Sequence, residues 1–418
     1  MPTIAYLTNV LPSPVEPYVT DEIGELRSRG ITVIPCSARC TSPGRSADLR
    51  PWAGQTLSLE PLRPGLLVRA VFLCVGKFGR LKHFVRRALS RKTSTERRLR
   101  ALLHTFLGIY YAAMLKRHRI EHIHVHHGYF GSWIAMVAAH LLDIPFSMTL
   151  HGSDLLIHAA YLDIKLRHCQ FCVTISEFNR RHILKNYPLT DPAKIFVRRT
   201  GVDCGLHSAP PPKSNGSPFQ LLAVGRLHPV KDHAFLVKAC SLLKGRGLRF
   251  VCSIAGEGLE RTSLEKLICD LQLEKEVRLL GELSCHELND RYEKADLVVL
   301  TSRSEGIPLA LMEAMARGKV VLAPAITGIP ELVEDGTTGF LYRAGSVEEF
   351  VARVELISGA RSALAALRRA ARQHVVQHFN REKNIAAFCD LLVSHLQAQP
   401  ARGSHTKVGH FYEDSLLQ

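Results

Sequence analysis

Two glutamates eight positions apart, Glu305 and Glu313, frame the stretch SRSEGIPLALMEAMARGK (residues 302–319), with Gly306, Ile307 and Pro308 between them. The run before it, DLVVLT (296–301), is apolar and reads as a buried strand, so residues 302–307 form the loop at that strand's carboxyl end. Pro308 suits the first position of a helix, where its missing N–H costs nothing. A helix start offers unpaired N–H groups and a partial positive charge, which is a seat for phosphate. Gly306 lets the backbone come close to such a ligand. Glu305 in the loop and Glu313, about 8 Å along the helix from Pro308, then stand on either side of the phosphate. A diphosphate with a sugar at each end fits this spacing, Glu305 toward one sugar and Glu313 toward the other. Read singly, Glu305 is equally a helix-capping acid and Glu313 a solvent-facing helix residue.

Other stretches place chemistry in similar positions. LLAVGRLHPVKD ends an apolar run with Gly225, Arg226 and Lys231. Arginine presents a two-pronged donor to phosphate oxygens and lysine a point charge; in isolation they are also two ordinary surface cations. SIAGEGLE puts Gly256 and Gly258 after a further run, a GxG without the full dinucleotide-binding spacing. FSMTLHGSDL closes with His151, Gly152 and Asp154, an imidazole and a carboxylate able to contact a sugar, or a histidine satisfied by its own loop. His122, His124 and His126 alternate along one strand and share a face, with His127 next to them. A zinc site needs partners and supporting hydrogen bonds that this spacing does not supply, so packing, or acceptor contacts near His126, is the better reading. The lone CxxC of Cys169 and Cys172 reads as buried thiols.

The elements that must carry these residues follow from periodicity. Short continuous apolar runs (TIAYLT, ITVIPC, HIHVHH, FSMTLH, FCVTIS, KIFVRR, QLLAVGR, FVCSIAG, VRLLGE, DLVVLTS, VVLAPA) alternate with helical patterns such as 16–29, 133–142 and 309–317. Continuous runs mean strands buried on both faces, and helix-length spacers mean βαβ units with parallel sheets. The Pro/Ser-rich stretch HSAPPPKSNGSPF breaks the pattern once. The expected fold class is therefore α/β: two Rossmann-like doubly wound parallel-sheet domains facing a cleft, with ligands at the carboxyl ends of the strands. The expected divisions are an acceptor-side domain 1–206, a linker 207–218, a donor-side domain 219–380, a helix 381–396 that can pack back on the first domain, and a flexible tail 397–418.

The 418 residues carry a formal net charge of +16, which points to an anionic partner. Residues 77–100 hold ten Lys/Arg and a single acid, Glu96, with Leu81, Phe84, Val85, Ala88 and Leu89 interleaved at helical spacing. This reads either as a solvated basic face or as a helix lying on anionic lipid. No helix-turn-helix or aromatic stacking series accompanies the charge, so nucleic acid is not the expected partner. Eleven cysteines without a repeating framework suit a reducing compartment. The amino-terminal residues read as a strand and not a signal peptide, and no apolar run reaches the length of a membrane span. The expected location is cytoplasmic, peripheral on the inner face of the cytoplasmic membrane.

Taken jointly, SEGIPLALMEAMA with its E-x7-E pair, VGRLHPVKD, AGEG and HGSD resemble the GT-B fold, retaining glycosyltransferases of family 4. The opening YLTNVLPSPVEPYVTDEIGELRSRG, with HIHVHHG and IPFSMTLHGSDL, is similar to the branch that builds bacterial exopolysaccharide and lipopolysaccharide. The resemblance implies a nucleotide-sugar donor and a glycan or glycolipid acceptor, with no cofactor and no metal. Arg226 and Lys231 would hold the donor diphosphate, and His151 and Glu305 the transferred sugar. Gly225, Gly256, Leu283, Gly306, Ile307 and Pro308 would line the donor site, and Glu313 would meet the ribose. His126 and Asp154 would lie on the acceptor side. It implies hexosyl transfer by front-face attack, with the leaving phosphate taking the acceptor's proton. Two stretches depart from the family's usual form: NVLPSPVEPY has no glycine, and EGIPLALME replaces the common EGFGLPxLE. An idle scaffold, or an epimerase on the same fold, is the alternative; intact Arg226, Lys231, Glu305 and Glu313 argue against the scaffold.

Overall fold

In the computed structural model the described residues are 2–13, 16–39, 50–89, 94–157, 159–205, 217–361 and 363–398. The proline-rich linker lies almost wholly, and the tail beyond residue 398 entirely, outside them.

The first domain is built on β1 (Thr3–Thr8), β2 (Thr32–Ser37), β3 (Leu57–Ser58), β4 (His122–His126), β5 (Phe146–Leu150), β6 (Cys172–Thr174) and β7 (Ile195–Val197). They form one parallel sheet in the order β3-β2-β1-β4-β5-β6-β7. The second domain carries β8 (Phe219–Val224), β9 (Phe250–Ala255), β10 (Val277–Gly281), β11 (Leu297–Val299), β12 (Val320–Pro324) and β13 (Phe340–Tyr342), parallel in the order β10-β9-β8-β11-β12-β13. The apolar runs foretell eleven of these strands. The two they miss, β3 and β13, are edge strands of two and three residues.

Both faces of each sheet are covered, which is why the strands are continuously apolar. Along β1, Ala5 and Leu7 enter one core and Ile4 and Tyr6 the core on the opposite face. In β12, Val320 and Leu322 face one side and Val321 and Ala323 the other. Strand order reverses beside β1 and β4 in the first sheet, and beside β8 and β11 in the second. At such points the helices leave on opposite faces and the strand ends open a crevice.

The chain crosses back at its end. Val202 N–H donates to Phe379 O at 2.9 Å, and Arg381 N–H to Val202 O at 3.0 Å. Gly201 is required there, since a Cβ would stand 2.6 Å from Arg381 N and from Phe379 O. The helix Arg381–Gln397 then packs on the helix Pro17–Ser28 of the first domain. Its Phe388, Cys389, Leu391, Leu392 and Leu396 share a core with Ile4, Tyr6, Val19, Ile23 and Leu26.

One expectation needs correction. In the basic segment, Leu81 and Phe84 do not lie toward solvent: both are about 1 % exposed, within the first domain's core, with the Phe84 ring 6.0 Å from Trp133. The amphipathic helix Phe78–Ala88 turns its apolar stripe inward and leaves Lys82 and Arg86 outside.

Candidate functional site

The loops at the two order reversals meet. In the second domain, β11 ends and Ser302 to Ile307 bend back over β8. Arg303 N–H donates to Val230 O at 2.8 Å and Thr301 Oγ1 to Lys231 O at 3.0 Å, which locks this loop to the GRLHPVK loop. Lys231 Nζ lies 2.5 Å from Glu305 Oε1, and Ser302 Oγ donates to the same oxygen at 2.6 Å. Both partners of this pair are largely covered, at 20 % and 12 % exposure, so the charges are shielded from water on most sides. Arg226, on the same loop, is exposed and carries its charge toward Glu16 and Tyr129 of the first domain.

Helix Leu309–Ala316 starts one residue later than the sequence suggests. Pro308 is its N-cap, with extended backbone (φ −76°, ψ 122°), and its carbonyl accepts from Leu311 and Met312 N–H. Glu313 is half-buried on this helix and is not a solvent-facing residue. Its Oε2 accepts from Tyr292 O–H at 2.9 Å, and Arg317 stacks 4.7 Å from the centre of the Tyr292 ring. Burial raises the Glu313 pKa above its usual value, against the opposing pull of the Tyr292 hydrogen bond and the Arg317 charge.

Glycines allow the loops to touch. A Cβ on Gly306 would stand 2.5 Å from His151 O and 2.6 Å from Ile175 Cδ1. A Cβ on Gly152 would stand 2.9 Å from Gly306 N, and one on Gly328 2.5 Å from Gly306 O. The HGSD loop of one domain and the SEGIP loop of the other are therefore in backbone contact. Gly256 holds a left-handed φ of +144°, with a Cβ position 2.1 Å from Gly225 O, so these two sequence-singled glycines pack on each other under the Arg226 loop. Leu283 is partly buried just past β10.

On the first-domain side, a chain of hydrogen bonds runs from β1 to the cleft. His126 Nε2 is 3.0 Å from Glu22 Oε2 and 2.8 Å from Tyr6 Oη, and Tyr6 also donates to that carboxylate. His126 Nδ1 is 3.0 Å from His151 Nε2. A carboxylate at Glu22 only accepts, so His126 donates to it from Nε2, and in its neutral form His126 accepts at Nδ1. His151 then donates from Nε2 and keeps Nδ1 as a lone pair. Burial, reinforced by the neighbouring His127, His126 and His124, holds the His151 pKa well below the usual imidazole value, so it is neutral.

His127 has a left-handed φ of +73° and bonds Glu16 Oε1 at 2.6 Å through Nε2. Burial acts to lower its pKa, but Glu16 and Asp154 outweigh it and the pKa is raised. Asp154 corrects the sequence reading. It is completely buried and accepts from the N–H groups of Gly128, His151 and Gly152 at 2.7–3.2 Å. Its carboxylate shapes the loop that presents His151 and is engaged by these backbone groups. His126 is also buried, at 1 % exposure, and reaches the cleft only through His151. His122 and His124 bond Ser147 and Thr149, and among the described residues no group of three or more His, Cys, Asp or Glu is arranged to hold a metal ion.

Sequence reading missed four contributors: Glu16, Glu22, Tyr292 and Glu331. The first two lie on or before the helix after β1, a position the strand-order argument marks. Glu331 accepts from Glu177 and Phe178 N–H at 3.0 and 2.7 Å, so a second-domain acid caps a first-domain helix; no local signal announces that.

Comparison with known proteins adds to this geometry. Residues 15–206 match the family model for Glycosyltransferase Family 4, and residues 208–374 that for Glycosyl transferases group 1. WcaL of Salmonella typhimurium, a glycosyltransferase assigned to colanic acid biosynthesis, is 35 % identical over 198 residues, 46 % of this chain and 49 % of WcaL. The amylovoran biosynthesis glycosyltransferase AmsK of Erwinia amylovora is 33 % identical over 193 residues, 45 % of this chain and 47 % of AmsK. The chain thus spans about half the length of the curated relatives it matches. HepE of Anabaena, solved with UDP and glucose, superposes with a TM-score of 0.70 over 94 % of this chain and 100 % of its own, at 17 % identity. At that identity the likeness is one of fold.

Proposed function

Because the chain belongs to the group 1, family 4 glycosyltransferases and has their two-domain GT-B fold, we propose that it transfers a hexose or similar sugar from a nucleotide-sugar to a lipid-linked or growing polysaccharide acceptor. The anomeric configuration is retained, and the pathway is cell-surface glycan synthesis on the cytoplasmic side of the membrane. WcaL and AmsK, named for exopolysaccharide biosynthesis, support the pathway, and the UDP and glucose bound to HepE support the donor class. The observation that carries the reading is the Lys231–Glu305–Ser302 cluster on the loop that meets the His151 loop at the Gly152–Gly306 contact.

In this reading Arg226 and Lys231 neutralise the departing diphosphate, aided by the N-terminus of helix Leu309–Ala316. These cations take the part that a metal plays in other transferases, so the reaction needs no metal or cofactor. Glu305 holds hydroxyls of the transferred sugar, and His151 offers its Nδ1 lone pair to another. Glu313 meets the ribose, with Tyr292 fixing its rotamer. The acceptor hydroxyl attacks on the face from which the diphosphate leaves. A leaving phosphate oxygen takes the acceptor's proton as the glycosidic bond forms, so no enzyme nucleophile is required.

A thermal-shift series with UDP-, GDP- and ADP-sugars tests the donor, using Arg226→Ala as control, since a ligand of the folded state raises its stability. The expected result is stabilisation by one nucleotide class, lost in the variant. No shift with any of them removes the donor assignment. Proton NMR of the first-formed product then reads its anomeric configuration directly.

A further inference from the structure

The helix Pro64–Gly76 (PGLLVRAVFLCVG) carries a single charged residue, Arg69, and is otherwise apolar. One face is accounted for: Ala70 is fully buried, and Leu66, Leu67, Leu73 and Cys74 lean on the first domain's core. The opposite face is not. Val68, Phe72 and Val75, one helical stripe, are 56 %, 73 % and 74 % exposed; Val71 flanks them, and Phe78, just beyond the helix, is 59 % exposed. Of the thirteen large hydrophobic residues exposed among the described residues, nine fall between positions 62 and 103, so the exposure belongs to this surface and is not general. A contiguous apolar patch on a protein surface marks an interaction site.

Charge identifies the partner. From residue 61 to 120 the chain has fifteen Lys/Arg and one acid, Glu96, nearly all of the formal +16. Glu96 is itself 2.6 Å from Arg100. Arg63 and Arg69 flank the stripe, and Lys82, Arg86 and Arg97 stand exposed on the neighbouring helices. Thirteen helical residues measure about 20 Å, short of the roughly 30 Å that a span needs. No described helix is long and apolar enough to cross a membrane. A helix of this kind lies in the plane of the interface.

We propose that Val68, Val71, Phe72, Val75 and Phe78 form a ridge that inserts into the headgroup–acyl boundary of an anionic lipid leaflet, with the surrounding lysines and arginines against the headgroups. Inserted apolar side chains, in addition to charge, hold the protein there. The inference deepens the proposed function and rests on it only for its purpose, the presentation of a lipid-linked acceptor; the binding requires no sugar transfer.

The test is co-sedimentation of the full chain with vesicles of phosphatidylcholine, alone or mixed with phosphatidylglycerol, at low and high salt. Expected is binding to the mixed vesicles only. The Phe72→Ser/Val75→Ser/Phe78→Ser variant should bind roughly tenfold more weakly or worse at both salts. The Lys82→Gln/Arg86→Gln/Arg97→Gln variant should lose about fivefold per cation at low salt and much less at high salt. All six positions are exposed, so the variants should fold as the parent does, which circular dichroism checks. Phe72→Trp should show a blue-shifted fluorescence on adding mixed vesicles, and Leu356→Trp, exposed in the second domain, should not. Vesicle binding that is indifferent to the apolar variant, or a Phe72→Trp signal that does not move, overturns the proposal. So does a wild-type dimer in sedimentation that the apolar variant makes monomeric, which would assign the ridge to a second copy of the chain. Intact vesicle binding without transfer in any assay would leave the ridge standing and remove the proposed function.

Discussion

Lys231 and Glu305 form the closest cation–carboxylate pair across the two loops at the mouth of the second domain, 2.5 Å apart, with Ser302 on the same carboxylate oxygen. A donor diphosphate, as proposed, would therefore find Lys231 already held in place by Glu305. Lys231→Met and Glu305→Gln should each weaken donor binding, and the double variant should lose less than the two losses combined. The coupling expected for residues in direct contact is about 0.5–3 kcal/mol. Calorimetric titration of the four proteins with the donor measures it, and strict additivity would mean that the two residues act on the donor independently.

Glu313 answers to Tyr292. Glu313→Ala should reduce donor affinity by about 1.5–3 kcal/mol, the range for hydrogen bonds to a charged group. Tyr292→Phe removes the hydrogen bond that opposes burial, so the Glu313 pKa, already raised, should climb further. Donor binding by that variant should then begin to fail at a higher pH on the acid side than in the wild type. Affinity measured across the acid range decides the matter, and superimposable profiles would free Glu313 from Tyr292.

The contact between the domains depends on Gly306. In Gly306→Ala the new methyl would meet His151 O at 2.5 Å and Ile175 Cδ1 at 2.6 Å, and the backbone carbonyl has nowhere to retreat. Overpacking of this kind costs about 1–3 kcal/mol. The domains should part, raising the radius of gyration in solution scattering and lowering turnover more than donor affinity. An unchanged scattering profile with unchanged turnover would show that the seam is not held at this point.

Glu16 and His127 set a pH window. The Glu16 pKa is lowered from its ordinary 4.5: burial would raise it, but the His127 hydrogen bond and charge, with His126 and Arg226, prevail. Its contribution to stability is present above 4.5 and fades as pH falls through the depressed folded value. The His127 pKa is raised from 6.5, so its contribution is complete below 6.5 and fades as pH rises through the raised folded value. The bridge should stabilise the fold most between those ordinary values. Glu16→Gln should cost about 1.5–3 kcal/mol near pH 5.5 and less in alkaline buffer. Urea unfolding at several pH values reads the difference, and a pH-independent loss would mean that Glu16 and His127 are not an ion pair.

Much of the fold was legible because its strands are buried on both faces. Runs such as VVLAPA and DLVVLTS have no polar break, and the residues after them had to be loops at sheet ends. That logic puts Arg226, Lys231, Glu305 and His151 in loops after the carboxyl ends of strands, which is where they lie. It misled where two periodicities coincide. Leu81 and Phe84 have the spacing of a lipid-facing stripe and also that of a core-facing one, and only the neighbouring Trp133 shows which applies. Asp154 was misread because a carboxylate at a strand end looks available until its loop is seen to fold around it. Contacts between distant segments, such as Glu331 with the start of helix Glu177–Asn186, leave no trace in either local sequence.

The final helix has a consequence for the order of assembly. The first domain's core on one face of its sheet is completed by Phe388, Cys389, Leu391, Leu392 and Leu396, which are nearly the last described residues of the chain. Nascent chains ordinarily settle their amino-terminal unit first as they emerge. Here that unit must wait, with this core only partly covered, until the helix Arg381–Gln397 beyond the second domain has left the ribosome. The second domain's cores need nothing beyond Phe379, so it closes first. The amino-terminal half is in this sense the last part of the molecule to be finished.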